Sequence, residues 1–233
     1  MISEKEFSSN LSVVNQQIEK ACCKYGRSAE EVTLLPVTKN WPVHAVAMCA
    51  KHGIKRVGEN RVQEAIQKME STSEINYDLI GHLQSNKVKF VVGKFSCIQS
   101  VDSLKILERL GKLAYESRLI QPLLLQVNAG SDPAKYGISI EETQAVLERA
   151  LNISSIRING FMAIAPYDPH NKNTARECFA NLRTLRDSMA EKYNQPFPEL
   201  SMGMSGDLEE AIAEGSTMIR VGSALFGQRN SKH

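Results

Sequence analysis

Lys39 closes an apolar run, LLPVT, and a lysine in that setting has two readings. It is a surface lysine that opens a loop, or it is an amine projecting over the mouth of a closed sheet. In the second case desolvation disfavours the ammonium form, so the amine becomes nucleophilic and can form a Schiff base. The last third of the chain holds a second concentration of chemistry. In MGMSGDLEEAI, Ser205 and Gly206 lie between an apolar run and a helical pattern. Exposed amides, the helix dipole and the Ser205 hydroxyl suit a phosphate there. The next run, TMIRVGSALFG, ends with Arg220, Gly222 and Ser223. Gly222 lets backbone approach a ligand closely, and its amide and that of Ser223 can face an anion. The plain alternative is capping by Ser205 and an ordinary turn at Gly222. Two such junctions in succession favour the phosphate.

Other polar residues carry less. Asn60, at the end of KRVGEN, can hydrogen-bond a ligand ring or simply start a helix. His82 reads as a cap or a packing histidine, with no carboxylate in obvious partnership. Asn128 and Lys135 flank the loop NAGSDPAKYG and read as solvated. Met162 and Met204 read first as core residues. Asp207, Glu209 and Glu210 complement the N-terminus of their helix. Cys22, Cys23, Cys49, Cys97 and Cys178 form neither a CxxC nor a His/Cys cluster. Reduced thiols are expected, with no disulfide framework and no metal site.

The elements that must position these groups alternate in kind. Short runs rich in β-branched residues fall at 32–39, 55–60, 77–83, 96–101, 122–129, 158–164, 199–204 and 217–223. Seven helical patterns separate them; in 172–192 the apolar positions are Ala175, Cys178, Phe179, Leu182, Leu185 and Met189. A further N-terminal helix is spaced by Phe7, Leu11, Val14, Ile18 and Ala21, and Ser28 with Glu31 predicts a capping box just after it. Eight strands suited to burial on both faces imply a parallel sheet closed into a (β/α)8 barrel. The N-terminal helix then covers the bottom or completes the outer ring. An open doubly wound sheet is the rival, but no GxGxxG follows the first strand. Pro36 fits badly inside that strand and predicts a bulge or a displaced edge. The reading is one domain over 1–233, with a helix over 1–27 and the barrel over 32–229. A barrel's site lies at the C-terminal ends of its strands, with phosphate at the seventh and eighth junctions.

With 233 residues, 42% of them hydrophobic, the chain can bury a sizeable core. A net charge of +2, with both signs scattered, argues against a nucleic-acid partner. The opening MISEKEFSSN lacks a signal-peptide pattern, and no apolar run approaches the roughly 20 residues of a membrane span. A cytoplasmic protein is expected.

The segments LLPVTK, GENRVQE, LIGHLQSNK, VNAGSDPAKYGI, GFMAI and LSMGMSGDLEEAIAEGSTMIRVGSALFG run in order from about residue 30 to residue 229. Together they resemble the pyridoxal phosphate homeostasis protein family, also called the proline synthase co-transcribed family. That family is similar to the barrel domain of alanine racemases. The resemblance implies pyridoxal 5'-phosphate as cofactor, Lys39 as its Schiff-base lysine, and Ser205, Gly222 and Ser223 around the phosphate. It puts Asn60, Ser201, Met162 and Met204 near the cofactor, and Arg220 at the pyridine nitrogen. The chain departs from the family twice. Trp41, in TKNWP, replaces a second lysine of the common SKTKP, and Pro36 replaces a small residue.

Racemisation needs an acid or base on each face of the substrate carbon. In alanine racemases the second is a tyrosine from a C-terminal β domain, and only QRNSKH follows LFG here. The resemblance therefore implies a barrel without that domain and a binding role in vitamin B6 homeostasis, with no catalytic residue assigned. A monomer is expected, and apo-enzymes that require the cofactor are the expected partners. A minimal amino-acid racemase and an unrelated phosphate-binding barrel enzyme remain the alternatives.

Overall fold

The computed structural model describes residues 2–168 and 170–227. Eight parallel strands form one sheet: β1 (Thr33–Pro36), β2 (Arg56–Glu59), β3 (Asn76–Leu79), β4 (Cys97–Val101), β5 (Gln121–Gln126), β6 (Ile156–Met162), β7 (Glu199–Ser201) and β8 (Met218–Val221). The neighbour order β1-β8-β7-β6-β5-β4-β3-β2 leaves β1 and β2 at the seam. That seam is closed by a parallel bridge between Val37 and Gly58 and by the Thr38 amide, which donates to the Gly58 carbonyl at 3.1 Å. All eight expected runs form strands, and they close as a barrel, not as a doubly wound sheet.

Pro36 causes no bulge. β1 and β8 stay in register from Thr33 with Met218 to Pro36 with Val221. Alternate amides along this segment point opposite ways: those of Thr33 and Val37 donate to the Thr217 and Val221 carbonyls on the β8 side, and that of Thr38 donates to Gly58 of β2. The missing Pro36 donor therefore faces the seam at a level where β2 has not yet begun to pair, which a proline tolerates. The register shifts occur elsewhere, between β4 and β5 and between β5 and β6.

The helices are α1 (Glu4–Lys24), α2 (Val43–Lys51), α3 (Val62–Met69), α4 (Leu104–Glu116), α5 (Ile140–Leu151), α6 (Lys172–Tyr193), α7 (Leu208–Ala213) and α8 (Ser223–Phe226). A 3-10 turn over Ser85–Phe90 takes the place of the helix between β3 and β4. The Ser28–Glu31 capping box is present, on a 3-10 turn of only three residues. The main core lies between the strands and the helical layer. Two smaller clusters, Leu35 with Val37, Ile80 and Met218, and Cys97 with Leu124 and Met162, fill the barrel interior.

α1 joins the outer ring. Phe7 is fully buried and stacks on Phe226 of α8 at 5.4 Å, and Lys51 of α2 pairs with Glu4. Arg27, just past α1, donates to the carbonyls of Ile212 and Ser216 at 3.1 and 2.8 Å. α8 has four residues, too few to cover β8 and β1, so α1 fills the gap between α7 and α2. Burying Phe7 there is worth about 2–3 kcal/mol. Among the described residues no helix is long and apolar enough to cross a membrane and no His/Cys/Asp/Glu cluster is arranged to hold a metal. Residues 228 and 229 of the expected barrel range, and the tail QRNSKH, lie outside the described residues.

Candidate functional site

Lys39 is held at the corner of a turn. The Trp41 amide donates to the Thr38 carbonyl at 3.0 Å, and Asn40, the third residue, has φ 61°. That left-handed position is one that asparagine tolerates better than most residues. Leu35 and Val37 point into the interior cluster, Thr38 faces outward, and Lys39 follows half-buried in the turn. Outside the barrel wall Thr38 meets a buried ionic clamp. Its hydroxyl donates to Glu59 Oε1 at 2.6 Å, and its carbonyl accepts from Lys68 Nζ at 2.8 Å. Lys68 also donates to Glu59 Oε1 at 2.6 Å and to Glu64 Oε1 at 2.8 Å. Glu64 in turn accepts from the Asn40 amide at 2.5 Å. Burial pushes the Glu59 carboxyl up, against the pull of Lys68 and Thr38. Both residues flanking Lys39 are thereby fixed by α3 and β2.

Arg220, on β8, lies buried beneath the mouth. Its Nη1 donates to the Ser201 carbonyl and hydroxyl at 2.6 and 2.8 Å, and its Nη2 to the Ala163 carbonyl at 2.8 Å. Burial pushes the guanidinium down to about 10, opposed by Asp207, so it is still a cation near neutral pH. Beneath it a polar line crosses the interior. Ser201 donates to Gln99 Oε1 at 2.6 Å, Gln99 Nε2 donates to Asp78 at 2.6 Å, and Asp78 takes a two-pronged ion pair from Arg56 at 2.7 and 3.1 Å. Burial raises the Asp78 carboxyl, and Arg56 opposes that rise. Ser201 and Met162 are fully buried, so they form a floor under the mouth and Ser201 acts upward through Arg220.

The seventh and eighth junctions are open by contrast. Met204, Ser205 and Gly206 are exposed in a turn that precedes α7. Ser205 does not cap α7; Asp207 stands at that position, and its carboxylate accepts from the Met204 amide at 2.6 Å. Gly222 precedes α8 and Ser223 opens it, exposed. A Cβ on Gly222 would lie 3.4 Å from the Val37 carbonyl oxygen, which puts this corner directly beside the strand end that carries Lys39.

The remaining candidates separate. Asn60 is half-buried at the end of β2, and its backbone passes so close to Gly81 that a Cβ there would strike the Asn60 carbonyl. Asn128 is not a solvated bystander: its side chain donates to the Asp132 carbonyl at 2.9 Å and accepts from the Asp132 amide at 3.1 Å, which ties the loop together. Lys135 lies half-buried on that loop. Trp41 packs on Phe226 at 5.7 Å. His82 has a carboxylate partner after all, since its Nδ1 lies 2.7 Å from Asp102 Oδ2. Twenty residues separate the two in sequence, and only the adjacency of β3 and β4 joins them. Sequence reasoning also passed over Lys68, Glu64, Arg56, Asp78 and Gln99. The available signal was a polar residue inside an apolar strand run, as in YDLIGHL and SCIQSV.

A half-buried lysine just past β1, a buried arginine on β8 and exposed turns after β7 and β8 lie at one end of an eight-stranded parallel barrel, and the comparisons place that barrel in the alanine-racemase type. The profile of the alanine racemase N-terminal domain matches residues 13–230. A pyridoxal phosphate homeostasis protein of Aquifex aeolicus is 38% identical over 94% of this chain and 96% of its own. PipY of Synechococcus elongatus PCC7942, solved with PLP bound, superposes with a TM-score of 0.79 at 34% identity, covering 90% of this chain and 100% of PipY. An alanine racemase of Clostridium difficile 630 shares the fold, with a TM-score of 0.80 at 14% identity over 98% of this chain and 58% of the racemase. The chain belongs to the pyridoxal phosphate homeostasis protein family, built on the alanine racemase N-terminal domain.

Proposed function

We propose that this protein binds pyridoxal 5'-phosphate through Lys39 and serves intracellular vitamin B6 homeostasis as a carrier. The observation that carries the reading is the juxtaposition of the end of β1, which leads into Lys39, with the Gly222 corner just past β8: the strands run in register and Gly222 lies against Val37. The donor set fits the cofactor. An amine meets its aldehyde, the exposed Ser205 hydroxyl with the Gly222 and Ser223 amides meets its phosphate, and Arg220 meets its ring nitrogen. Asn60, Met162 and Met204 border the ring, and Ser201 holds Arg220 from below.

A guanidinium that is still protonated donates to the pyridine nitrogen and keeps it unprotonated. That weakens the cofactor as an electron sink. Arg220, with both Nη atoms already committed to the protein, is built to stay in place. This favours storage and delivery over turnover of an amino acid, with apo-enzymes that need the cofactor as recipients. Five free thiols suit a reducing compartment, so we place the carrier in the cytoplasm, as one domain over 1–233 and as a monomer.

Absorbance of the purified protein tests the reading. Addition of pyridoxal phosphate gives a Schiff-base band, borohydride fixes the label on Lys39, and Lys39→Ala shows neither. A band that survives Lys39→Ala, or amino-acid racemisation at ordinary enzymic rates of about 1–1000 per second, would refute it.

A further inference from the structure

The His82–Asp102 pair has no part in holding the cofactor in the scheme above, yet it is a constructed feature. Ile80 lies in the interior cluster, and His82, two residues on, falls on the same inward face. Asp102 reaches that face because of a register shift in β4. Gln99 points inward to Asp78 and Ser201, whereas Ile98 and Val101 belong to the outer core. The shift between Ile98 and Val101 absorbs one residue and turns Asp102 inward. A regular strand would have turned it out.

The imidazole is fixed on two sides. Its Nδ1 lies 2.7 Å from Asp102 Oδ2, and its ring stacks on Tyr136 with centroids 3.9 Å apart and planes 12° from parallel. Tyr136 is itself held by its carbonyl, which accepts from Gln126 Nε2 at 2.9 Å at the end of β5. The Asp102 side chain is 8% exposed and that of His82 is 35% exposed. Capping does not account for His82, because the N-cap of the following 3-10 turn is Gln84. The cluster occupies the C-terminal ends of β3 and β4 and the loop after β5. In the ring these stand opposite β7 and β8.

Asp102 can only accept a proton from Nδ1, so it directs the lone pair of neutral His82 onto Nε2. We propose that His82, oriented by Asp102, is the proton-transfer residue for imine exchange at Lys39; the inference rests on the carrier reading. Delivery to an amine recipient requires the recipient nitrogen to bond to the carbon joined to Lys39 Nζ, after which the carbon–Nζ bond breaks. With the imine protonated before and after exchange, the attacking neutral amine must lose one proton and Nζ must gain one. His82 takes the first at Nε2 and returns it to Nζ, so the imidazole ends as it began and no oxidant or reductant is involved. Tyr136 screens one face of the ring from water.

The test uses protein loaded with pyridoxal phosphate and mixed rapidly with excess glycine, following decay of the bound band. His82→Ala is expected to load to the wild-type level and to exchange about 100-fold more slowly. Added imidazole should restore the rate in His82→Ala and leave wild type unaffected. His82→Gln keeps the bulk of the ring if alanine impairs folding. In unloaded protein, nitrogen NMR should show the His82 proton on Nδ1 and lose that preference in Asp102→Asn. Glycine exchange at the wild-type rate in a fully loaded His82 variant overturns the proposal. A wild-type protein that never forms the band overturns the carrier reading first.

Discussion

The two sides of the barrel mouth are built on opposite plans. At the β1–β2 side the chemistry sits on one side chain, and the protein surrounds its turn with a buried clamp of Glu59, Lys68 and Glu64. At the β7–β8 side Ser205, Gly206 and Ser223 stand exposed, and in the proposed reading backbone amides do most of the binding. In the proposed reading the contrast follows from what each side binds. A bond to one nitrogen requires a set position, and a flexible lysine gains it only if its flanking residues are immobilised. An anion satisfied by several amides tolerates small displacements and keeps water available when empty.

Four substitutions probe this contrast, beginning with the most severe. Lys39→Ala should abolish the covalent band and leave the thermal midpoint within a few degrees of wild type. Spectra and a melting curve report both. Lys68→Met strands the buried Glu59 carboxylate and should cost about 3 kcal/mol in urea unfolding, with weaker pyridoxal phosphate binding. An unchanged urea midpoint would mean that the turn does not depend on the clamp. Ser205→Ala should leave stability alone and raise the Kd for pyridoxal phosphate about 10-fold, the loss of one hydrogen bond to a charged group. A stability loss in place of an affinity loss would make Ser205 a structural residue. Gly222→Ala is the mildest. Its Cβ meets only Val37 at 3.4–3.5 Å, and φ −115° suits alanine, so unfolding should shift by less than about 0.5 kcal/mol. A few-fold loss of phosphate affinity without loss of stability would show that the corner itself needs the space.

The legible part of the protein was local. Each strand run and the 172–192 helix follow from periodicity within a short window, and Lys39, Ser205 and Gly222 stand at run ends that can be read directly. The clamp was hidden because Glu59 and Lys68 look like surface residues of a strand end and a helix; burial appears only when α3 packs over the β1–β2 seam. Pro36 misled for a related reason. Its missing donor matters only where a neighbouring strand would accept it, and the neighbour on that side starts pairing two residues later.

The amino-acid order by itself determined eight strands, all but one of the helices between them and the chemical types at the strand ends, because these depend on spacing along one chain. Tertiary structure alone decided which ends face one another: Gly222 beside Val37, Asp102 against His82, Arg220 above Ser201 and Gln99. Barrel closure and a single-residue register shift set those distances, and neither leaves a mark in local periodicity.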